Sequence, residues 1–255
     1  HGFEDYRGGG HFSGRITAAL VAAGGVIIPA LEGIGISFAT HIAKCAGVSD
    51  RKFEDIESDI KSLNEKSFPV LDDACGEEMA QRILKAREEA DSVGGVTETV
   101  ICGTPAGVGE PWFDSVESVI SHAAFSLGGV KGIEFGAGFA AADMKGSECN
   151  DPLRVSGGRI VTTTNNNGGI NGGITNGMPI IFRCAVKPTP SIAQTQDTVD
   201  FLKNENTQLS IHGRHDPAII RRICPVLDSV AALCVADMLS LRYGTDVLTK
   251  GVDDR

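Results

Sequence analysis

Two glycine-rich stretches of this 255-residue chain run directly into basic residues and hydroxyl groups. One covers residues 6–15 (YRGGGHFSGR), and the other covers residues 168–191 and ends in the sequence KPTPS. Glycine lets a ligand come close to main-chain N–H groups, while Arg and Lys supply positive charge and Ser and Thr supply hydroxyl donors. Because the net charge of the chain is -10, basic residues gathered in two such stretches predict a site for an anionic ligand.

Residues 213–217 (GRHDP) place a cation, an imidazole and a carboxylate side by side, where a long apolar helix is predicted to begin. Asp216 is a suitable N-cap for that helix, with Pro217 in its first position. The same carboxylate, beside Arg214 and His215, is equally suited to acid–base chemistry and anion binding. From the residue types alone, the capping role and the chemical role of Asp216 carry equal weight.

Gly136, Gly138 and Ala141 form a Gly-x-Gly-x-x-Ala pattern directly after a predicted strand, as in dinucleotide-binding proteins. That pattern requires a helix of several turns to follow, but residues 143–152 contain Gly146 and Pro152 and do not favour one. We therefore interpret the two glycines as a bend in a sheet and keep a nicotinamide oxidoreductase as the alternative.

Alternating helices and strands must position these residues, and the alternation predicts a mixed α/β architecture. Ser13 is expected to cap a helix over residues 15–23, and an apolar helix is expected over residues 217–243. Further helices are predicted over residues 77–92 and 114–126, and strands over residues 33–46, 97–102, 130–135 and 177–186. The charged residues 50–67 are predicted to form a solvated loop or a short surface helix. Loops are also predicted over residues 103–111 and 165–176, the second being too poor in apolar groups to pack.

The excess of 33 Asp and Glu residues over 23 Lys and Arg residues argues against a general nucleic-acid-binding protein. The seven cysteines include no Cys-x-x-Cys pair, so we predict reduced thiols and no zinc site. Cys102 and Cys184 are expected to pack as small apolar groups in strands. No apolar segment is expected to span a membrane, because residues 18–30 are interrupted by glycines and a proline.

Taken together, these segments resemble the chorismate synthase family. The matching segments follow the family's order and extend over nearly the whole chain. They are residues 6–15 (YRGGGHFSGR), 103–115 (GTPAGVGEPWFDS), 127–139 (LGGVKGIEFGAGF), 165–177 (NNNGGINGGITNG), 187–192 (KPTPSI) and 213–217 (GRHDP). The combination of KPTPS with GRHDP is highly specific to that family.

The resemblance implies one α/β (α+β) domain over residues 1–255, folded as a chorismate synthase-like β-α-β sandwich with a central helical layer. It implies a carbon–oxygen lyase that eliminates phosphate from 5-enolpyruvylshikimate 3-phosphate in a 1,4-anti sense to give chorismate, the last step of the shikimate pathway. Reduced FMN is the implied cofactor, and NADPH is an implied reductant in some members. The implied assembly is a cytoplasmic homotetramer without a metal and without nucleic-acid or membrane partners.

The resemblance also implies roles for individual residues, carried over by their positions in the matching motifs. The implied flavin contacts are His11, Phe12, Ser13, Gly128, Gly129, Gly172, Lys187, Pro188, Thr189, Pro190, Ser191 and Arg214. Asp216 matches a carboxylate held near the flavin, and Ser13 also matches a position tied to catalysis. Arg15 is the candidate for binding the phosphate or a carboxylate of the substrate.

The chain departs from the family pattern at single residues and in its N-terminal segment. His11 and Phe12 replace the more usual Arg followed by a small residue, and Ala218 replaces a frequent Cys after GRHDP. The family's N-terminal segment, with its Ser-His-Gly and His-Ala-Asp motifs, is not found upstream of Tyr6. We therefore expect an N-terminally truncated chain that is inactive or nearly so on its own. The alternative is a degenerate fragment that retains self-association and the binding of anions or flavin.

Overall fold

The computed structural model describes residue 10, residues 13–211 and residues 216–252. The α-helices are α1 (Ala18–Glu32), α2 (Ile56–Asn64), α3 (Asp73–Glu88), α4 (Val116–Phe125), α5 (Gly146–Cys149), α6 (Ile220–Tyr243) and α7 (Val247–Lys250). The strands are β1 (Ser37–Cys45), β2 (Val48–Ser49), β3 (Gly95–Cys102), β4 (Val130–Phe135), β5 (Leu153–Ser156), β6 (Arg159–Thr162), β7 (Ile170–Asn171), β8 (Ile174–Thr175), β9 (Ile180–Val186), β10 (Gln196–Asp200) and β11 (Glu205–Leu209). Short 3-10 helices cover Gly14–Thr17, Trp112–Asp114 and Gly138–Asp143. Each helix and strand predicted from the sequence is confirmed with bounds that differ by a few residues, except that α1 continues nine residues beyond the predicted end at residue 23.

Five antiparallel strands form the central sheet, in the order β2-β1-β3-β9-β4. Their register aligns His41, Glu98, Arg183 and Glu134 in one row across β1, β3, β9 and β4. Because successive side chains of a strand point to opposite faces, the neighbours of these four residues lie on the other face, where α6 packs. The sheet therefore has a polar row on one face and an apolar core on the other.

A helical layer built around α6 covers the apolar face of the sheet. Helix α6 packs across β1 and β3 and contacts α1 and α4. Helix α1 approaches it so closely that a side chain at Gly24 would overlap Ser229. Leu31, Phe182 and Leu227 are buried in the resulting core. The predicted α+β class is confirmed, and the described residues contribute a sheet and the helical layer of the expected sandwich.

The acidic residues before and within α2 include two that are buried, so the prediction of a solvated segment is wrong for them. Asp50 Oδ2 lies 2.8 Å from Nδ1 of the buried His41, and Asp59 accepts two hydrogen bonds from Arg51. Burial acts to lower the pKa of His41, but its hydrogen bonds to Asp50 and Glu98 outweigh burial and raise that pKa above the ordinary value. These carboxylates serve the fold.

The Asn/Gly-rich segment over residues 165–176 is packed, contrary to the prediction of a loop too polar to pack. Asp151 accepts hydrogen bonds from the main-chain N–H groups of Asn166 and Asn167 at 2.7 and 2.9 Å. Burial acts to raise the pKa of Asp151, but these bonds outweigh burial and lower it. The segment gains its structure from a carboxylate that lies outside it, and forms β7 and β8.

Two helices among the described residues are long and apolar enough to cross a membrane, Gly14–Glu32 and Ile220–Tyr243. The expectation that no apolar segment reaches that length is therefore wrong, because the glycines and Pro29 are accommodated inside a helix. The apolar window of the second helix is 72% buried, as expected of a core helix, whereas that of the first is 11% buried. Burial, not length, distinguishes α6 from a spanning helix.

Candidate functional site

A cleft of about 1440 Å³ opens where the N-terminal 3-10 helix, the end of β9 and the start of α6 meet. Three chain segments that are distant in sequence form most of its wall. The lining residues are Ser13, Gly14, Arg15, Thr17, Ala18, Val21, Arg87, Gly128, Gly129, Lys187, Pro188, Thr189, Pro190, Ser191, Asp216, Pro217, Ile219, Arg222, Pro225 and Val226. The cleft therefore brings together residues 13–15 and residues 187–191, which are the ends of the two glycine-rich stretches.

Ser13 fixes the N-terminal wall of the cleft. Its Oγ accepts a hydrogen bond from the main-chain N–H of Arg15 at 3.2 Å and so caps the 3-10 helix that leads into α1. The predicted capping role of Ser13 is confirmed, although the capped turn is a 3-10 helix. A hydroxyl oxygen that accepts this bond keeps its own O–H as a donor for a ligand.

The end of β9 is held against Gly129, which follows α4. The main-chain N–H of Lys187 donates to the carbonyl oxygen of Gly129 at 2.9 Å. Gly129 has φ +104, and a side chain there would lie 2.9 Å from the Cδ1 atom of Ile219. Glycine is required at this position both by its backbone conformation and by the close approach of α6.

The turn between α3 and β3 supports the loop over residues 187–191. Ser92 Oγ donates to the carbonyl oxygen of Thr189 at 2.7 Å, and a side chain at Gly94 would overlap Val186 and Pro188. Thr189 Oγ1 is itself buried and has no hydrogen-bond partner among the described residues. A buried hydroxyl without a partner is costly unless a ligand satisfies it.

Asp216 divides its two carboxylate oxygens between two donors. Oδ1 accepts from the main-chain N–H of Ala218 at 3.4 Å, and Oδ2 accepts from Nε of Arg222 at 2.6 Å. Helix α6 begins at Ile220, so of the two alternatives for Asp216 the capping one, with Pro217 as the first helical residue, is wrong. Because the helix begins a turn later, the carboxylate lies at the cleft and pairs with a guanidinium.

Positive charge exceeds negative charge among the described residues that line the cleft. The cations are Arg15, Arg87, Lys187 and Arg222, and the one anion is Asp216. A concentration of cations in a chain of net charge -10 suits a ligand that carries several negative charges.

Two of these cations, Arg87 and Arg222, were missed by the sequence reasoning. Arg87 lies in the last turn of α3, where the sequence pattern indicates a solvated charged face. Arg222 follows Asp216 by six positions, a spacing that becomes a contact only because α6 begins at Ile220. The one signal in the sequence is that Arg222 lies close to the acid–base motif over residues 213–217.

Most of the predicted site residues come together in the cleft. Those that line it are Ser13, Arg15, Gly128, Gly129, Lys187, Pro188, Thr189, Pro190, Ser191 and Asp216. Gly172 does not line it; that residue lies in the turn between β7 and β8 with φ +61. His11, Phe12 and Arg214 lie outside the described residues.

The Gly136–Gly138 pattern is a sheet bend. A side chain at Gly136 would overlap the backbone of Asn166 and Gly168, and a side chain at Gly138 would overlap Glu134. A short 3-10 helix follows, and the sheet is antiparallel. A dinucleotide-binding unit needs parallel strands joined by a helix, so these residues do not form one.

Comparisons with known proteins agree on one family. Residues 1–240 match the family model described as "Chorismate synthase". The chorismate synthase of Methanosarcina acetivorans is 44% identical over 246 residues, which are 96% of this chain and 66% of that protein. The chorismate synthase of Chitinophaga pinensis is 47% identical over 249 residues, which are 98% of this chain and 66% of that protein.

A solved structure supports the same assignment. A crystal structure of chorismate synthase matches with a TM-score of 0.76 at 28% identity, over 92% of this chain and 66% of that one. The predicted chorismate synthase-like fold is thereby confirmed. This chain spans 66% of the length of the curated relatives from M. acetivorans and C. pinensis.

Proposed function

This chain belongs to the chorismate synthase family, and we propose that its cleft takes part in eliminating phosphate from 5-enolpyruvylshikimate 3-phosphate to give chorismate. The observation that carries the proposal is the excess of positive charge in the cleft, from Arg15, Arg87, Lys187 and Arg222. The proposed substrate carries a phosphate and carboxylates, and such groups form strong charge-assisted hydrogen bonds with Arg and Lys.

The residues of the cleft fit reduced FMN, the proposed cofactor. A volume of about 1440 Å³ exceeds the roughly 300–1000 Å³ of a typical small-molecule pocket, so a cofactor and a substrate can share it. Thr189 offers a buried hydroxyl that has no partner among the described residues, and it lines the cleft together with Gly129. When bound, reduced FMN supplies electron density to the breaking carbon–oxygen bond.

The reaction breaks the bond between carbon and phosphate oxygen and one ring C–H bond, and it forms one C=C bond, so no net oxidation occurs. We propose that Arg15 and Lys187 hold the anionic groups and that Ser13 orients the ligand as a hydroxyl donor. Oδ2 of Asp216 is taken by Arg222 at 2.6 Å, whereas Oδ1 accepts a long bond of 3.4 Å. Oδ1 of Asp216 is therefore the atom at which this chain can hold or release a proton.

We also propose that residues 1–255 fold as one domain and that copies assemble into a cytoplasmic homotetramer. Trp112 and Phe113 are 85% and 86% exposed, and such aromatic surface is commonly covered by a partner. All seven cysteines are unpaired, as expected in a reducing compartment. Reduction of the flavin by NADPH is a further proposal, and loss of flavin absorbance after anaerobic addition of NADPH tests it.

The proposed function is tested by titrating FMN into the protein, followed by flavin fluorescence, with and without 5-enolpyruvylshikimate 3-phosphate. We expect the substrate to tighten FMN binding, because both ligands occupy one cleft and each orders its shared walls. An FMN affinity that is the same with and without the substrate would favour the alternative of a degenerate fragment. No binding of either ligand would contradict the proposed function.

A further inference from the structure

Arg222 and Asp216 form an ion pair at the edge of the cleft. Nε of Arg222 lies 2.6 Å from Oδ2 of Asp216, and the two side chains are 69% and 33% exposed. Both residues line the cleft, so the pair faces the space that a ligand would occupy. An ion pair this exposed contributes little to the stability of the fold.

The guanidinium of Arg222 is only partly used by this pair. Arginine presents five N–H donors in a planar fork, and here Nε is the one engaged. Neither Nη group of Arg222 forms a hydrogen bond or ion pair with residues 13–211 or 216–252. Four N–H donors, on the two Nη groups of a guanidinium that already lies at the cleft, are thus left for another acceptor.

The start of α6 fixes where this fork lies. The main-chain N–H of Arg222 donates to the carbonyl oxygen of Ile219 at 2.9 Å, which places the residue in the first turn of the helix. Ile219, Pro225 and Val226 line the cleft on either side of it in sequence. The backbone that carries Arg222 is therefore part of the cleft wall.

We propose that Arg222 bridges Asp216 to the anionic ligand: Nε positions the carboxylate, while the Nη groups donate to a phosphate or carboxylate oxygen of the ligand. The inference rests on the proposed function, which assigns Asp216 its proton-holding role. It adds that the ligand's negative charge and the charge of Asp216 share one cation. If the charge of Asp216 is removed, Arg222 should therefore bind the anionic ligand more strongly. The other cations of the cleft should not respond to the same degree.

A double-mutant cycle with FMN as the probe tests this bridge. We expect Arg222→Gln to raise the Kd for FMN by roughly tenfold or more, because the variant loses a charge-assisted hydrogen bond to the ligand. Arg221→Gln is the matched control, because Arg221 is the exposed neighbour in the same helix and does not line the cleft. That control should change the Kd by less than about twofold.

The second half of the cycle measures coupling. Asp216→Asn should tighten FMN binding several-fold in the wild-type background and leave it unchanged in Arg222→Gln, because the released guanidinium is then absent. Thermal melting of each variant monitors folding, and Arg222→Lys, which keeps the charge but offers one ammonium in place of the fork, should recover affinity only in part.

The outcomes separate this inference from the proposed function. Equal Kd values for Arg222→Gln and Arg221→Gln, or the same effect of Asp216→Asn in both backgrounds, would overturn the bridge and leave the proposed function standing. Wild-type protein that binds no FMN would overturn both. A tenfold loss that is confined to Arg222→Gln, with coupling to Asp216, supports the bridge.

Discussion

The hydroxyl group of Ser92 donates a hydrogen bond to the carbonyl oxygen of Thr189 at 2.7 Å, across 97 residues of sequence. This bond ties the turn between α3 and β3 to the loop that lines the cleft. The shape of the proposed flavin site therefore depends on a residue outside every motif shared with the family.

Replacing Ser92 tests this support. Ser92→Ala should lower the free energy of unfolding by about 1 kcal/mol and weaken FMN binding by several-fold, because the loop loses its anchor. Denaturant unfolding and FMN fluorescence measure the two effects. Ser62→Ala, on the exposed face of α2, serves as the control and should change neither quantity. Unchanged FMN affinity in Ser92→Ala would show that the loop keeps its shape without this bond.

Thr189→Val should have effects of opposite sign on stability and on binding. Valine keeps the shape of threonine but removes the buried hydroxyl that has no partner among the described residues. Without ligand we expect the free energy of unfolding to rise by about 1 kcal/mol, whereas FMN binding should weaken by roughly fivefold. Thr198→Val, on the exposed strand β10, is the control. Equal stability and equal affinity would mean that the hydroxyl meets water and not a ligand.

Arg15→Ala should act on the substrate more than on the cofactor. We expect FMN binding without substrate to change by less than about twofold, while the tightening caused by 5-enolpyruvylshikimate 3-phosphate falls by roughly tenfold. The pair of titrations distinguishes the two ligands, and Arg154→Ala in the exposed strand β5 provides the control. A loss of FMN affinity as large as the loss of substrate effect would assign Arg15 to the flavin instead.

Asp228 makes the stability of the core depend on pH. Its Oδ1 accepts a hydrogen bond from Thr40 Oγ1 at 2.6 Å between α6 and β1, and burial raises its pKa from 3.8 to about 7. A carboxyl group whose pKa is higher in the folded protein than in the unfolded protein stabilises the fold fully at pH values below its unfolded pKa. This stabilisation is lost as the pH rises through the folded pKa. Wild type should therefore lose roughly 4 kcal/mol relative to Asp228→Asn between pH 4 and pH 8.

Urea unfolding of wild type and Asp228→Asn at several pH values measures that difference. Because the two proteins share every other titrating group, including His41, their difference isolates Asp228. A difference that is constant across this pH range would show that Asp228 is ionised in the folded protein at every pH.

Sequence patterns predicted local structure well where the signal is local. The strand Val130–Phe135 was predicted with its observed bounds, and the apolar run of α6 was recognised from composition. Partners supplied by the tertiary fold were not predictable in the same way. Asp50 belongs to a charged run that reads as solvated, yet it is buried because β1 brings His41 to it.

The candidate site shows the same limit. The glycine-rich and KPTPS motifs located most of the cleft, because their residue types carry the chemistry themselves. Arg87 and Arg222 carry no such signal, since each lies among other charged residues of a helix. The position of Asp216 relative to Arg222 depends on where α6 begins, and capping preference alone does not predict that start.

Binding of an anionic cofactor through the cleft's own cations is tested most directly by one comparison. FMN affinity is measured for wild type, Lys187→Ala and Lys203→Ala, the last being a lysine 71% exposed on the ribbon of β10 and β11. The account predicts that Lys187→Ala raises the Kd by roughly tenfold at low salt, less at high salt, and that Lys203→Ala leaves it within about twofold. Equal Kd values for all three proteins would contradict the account.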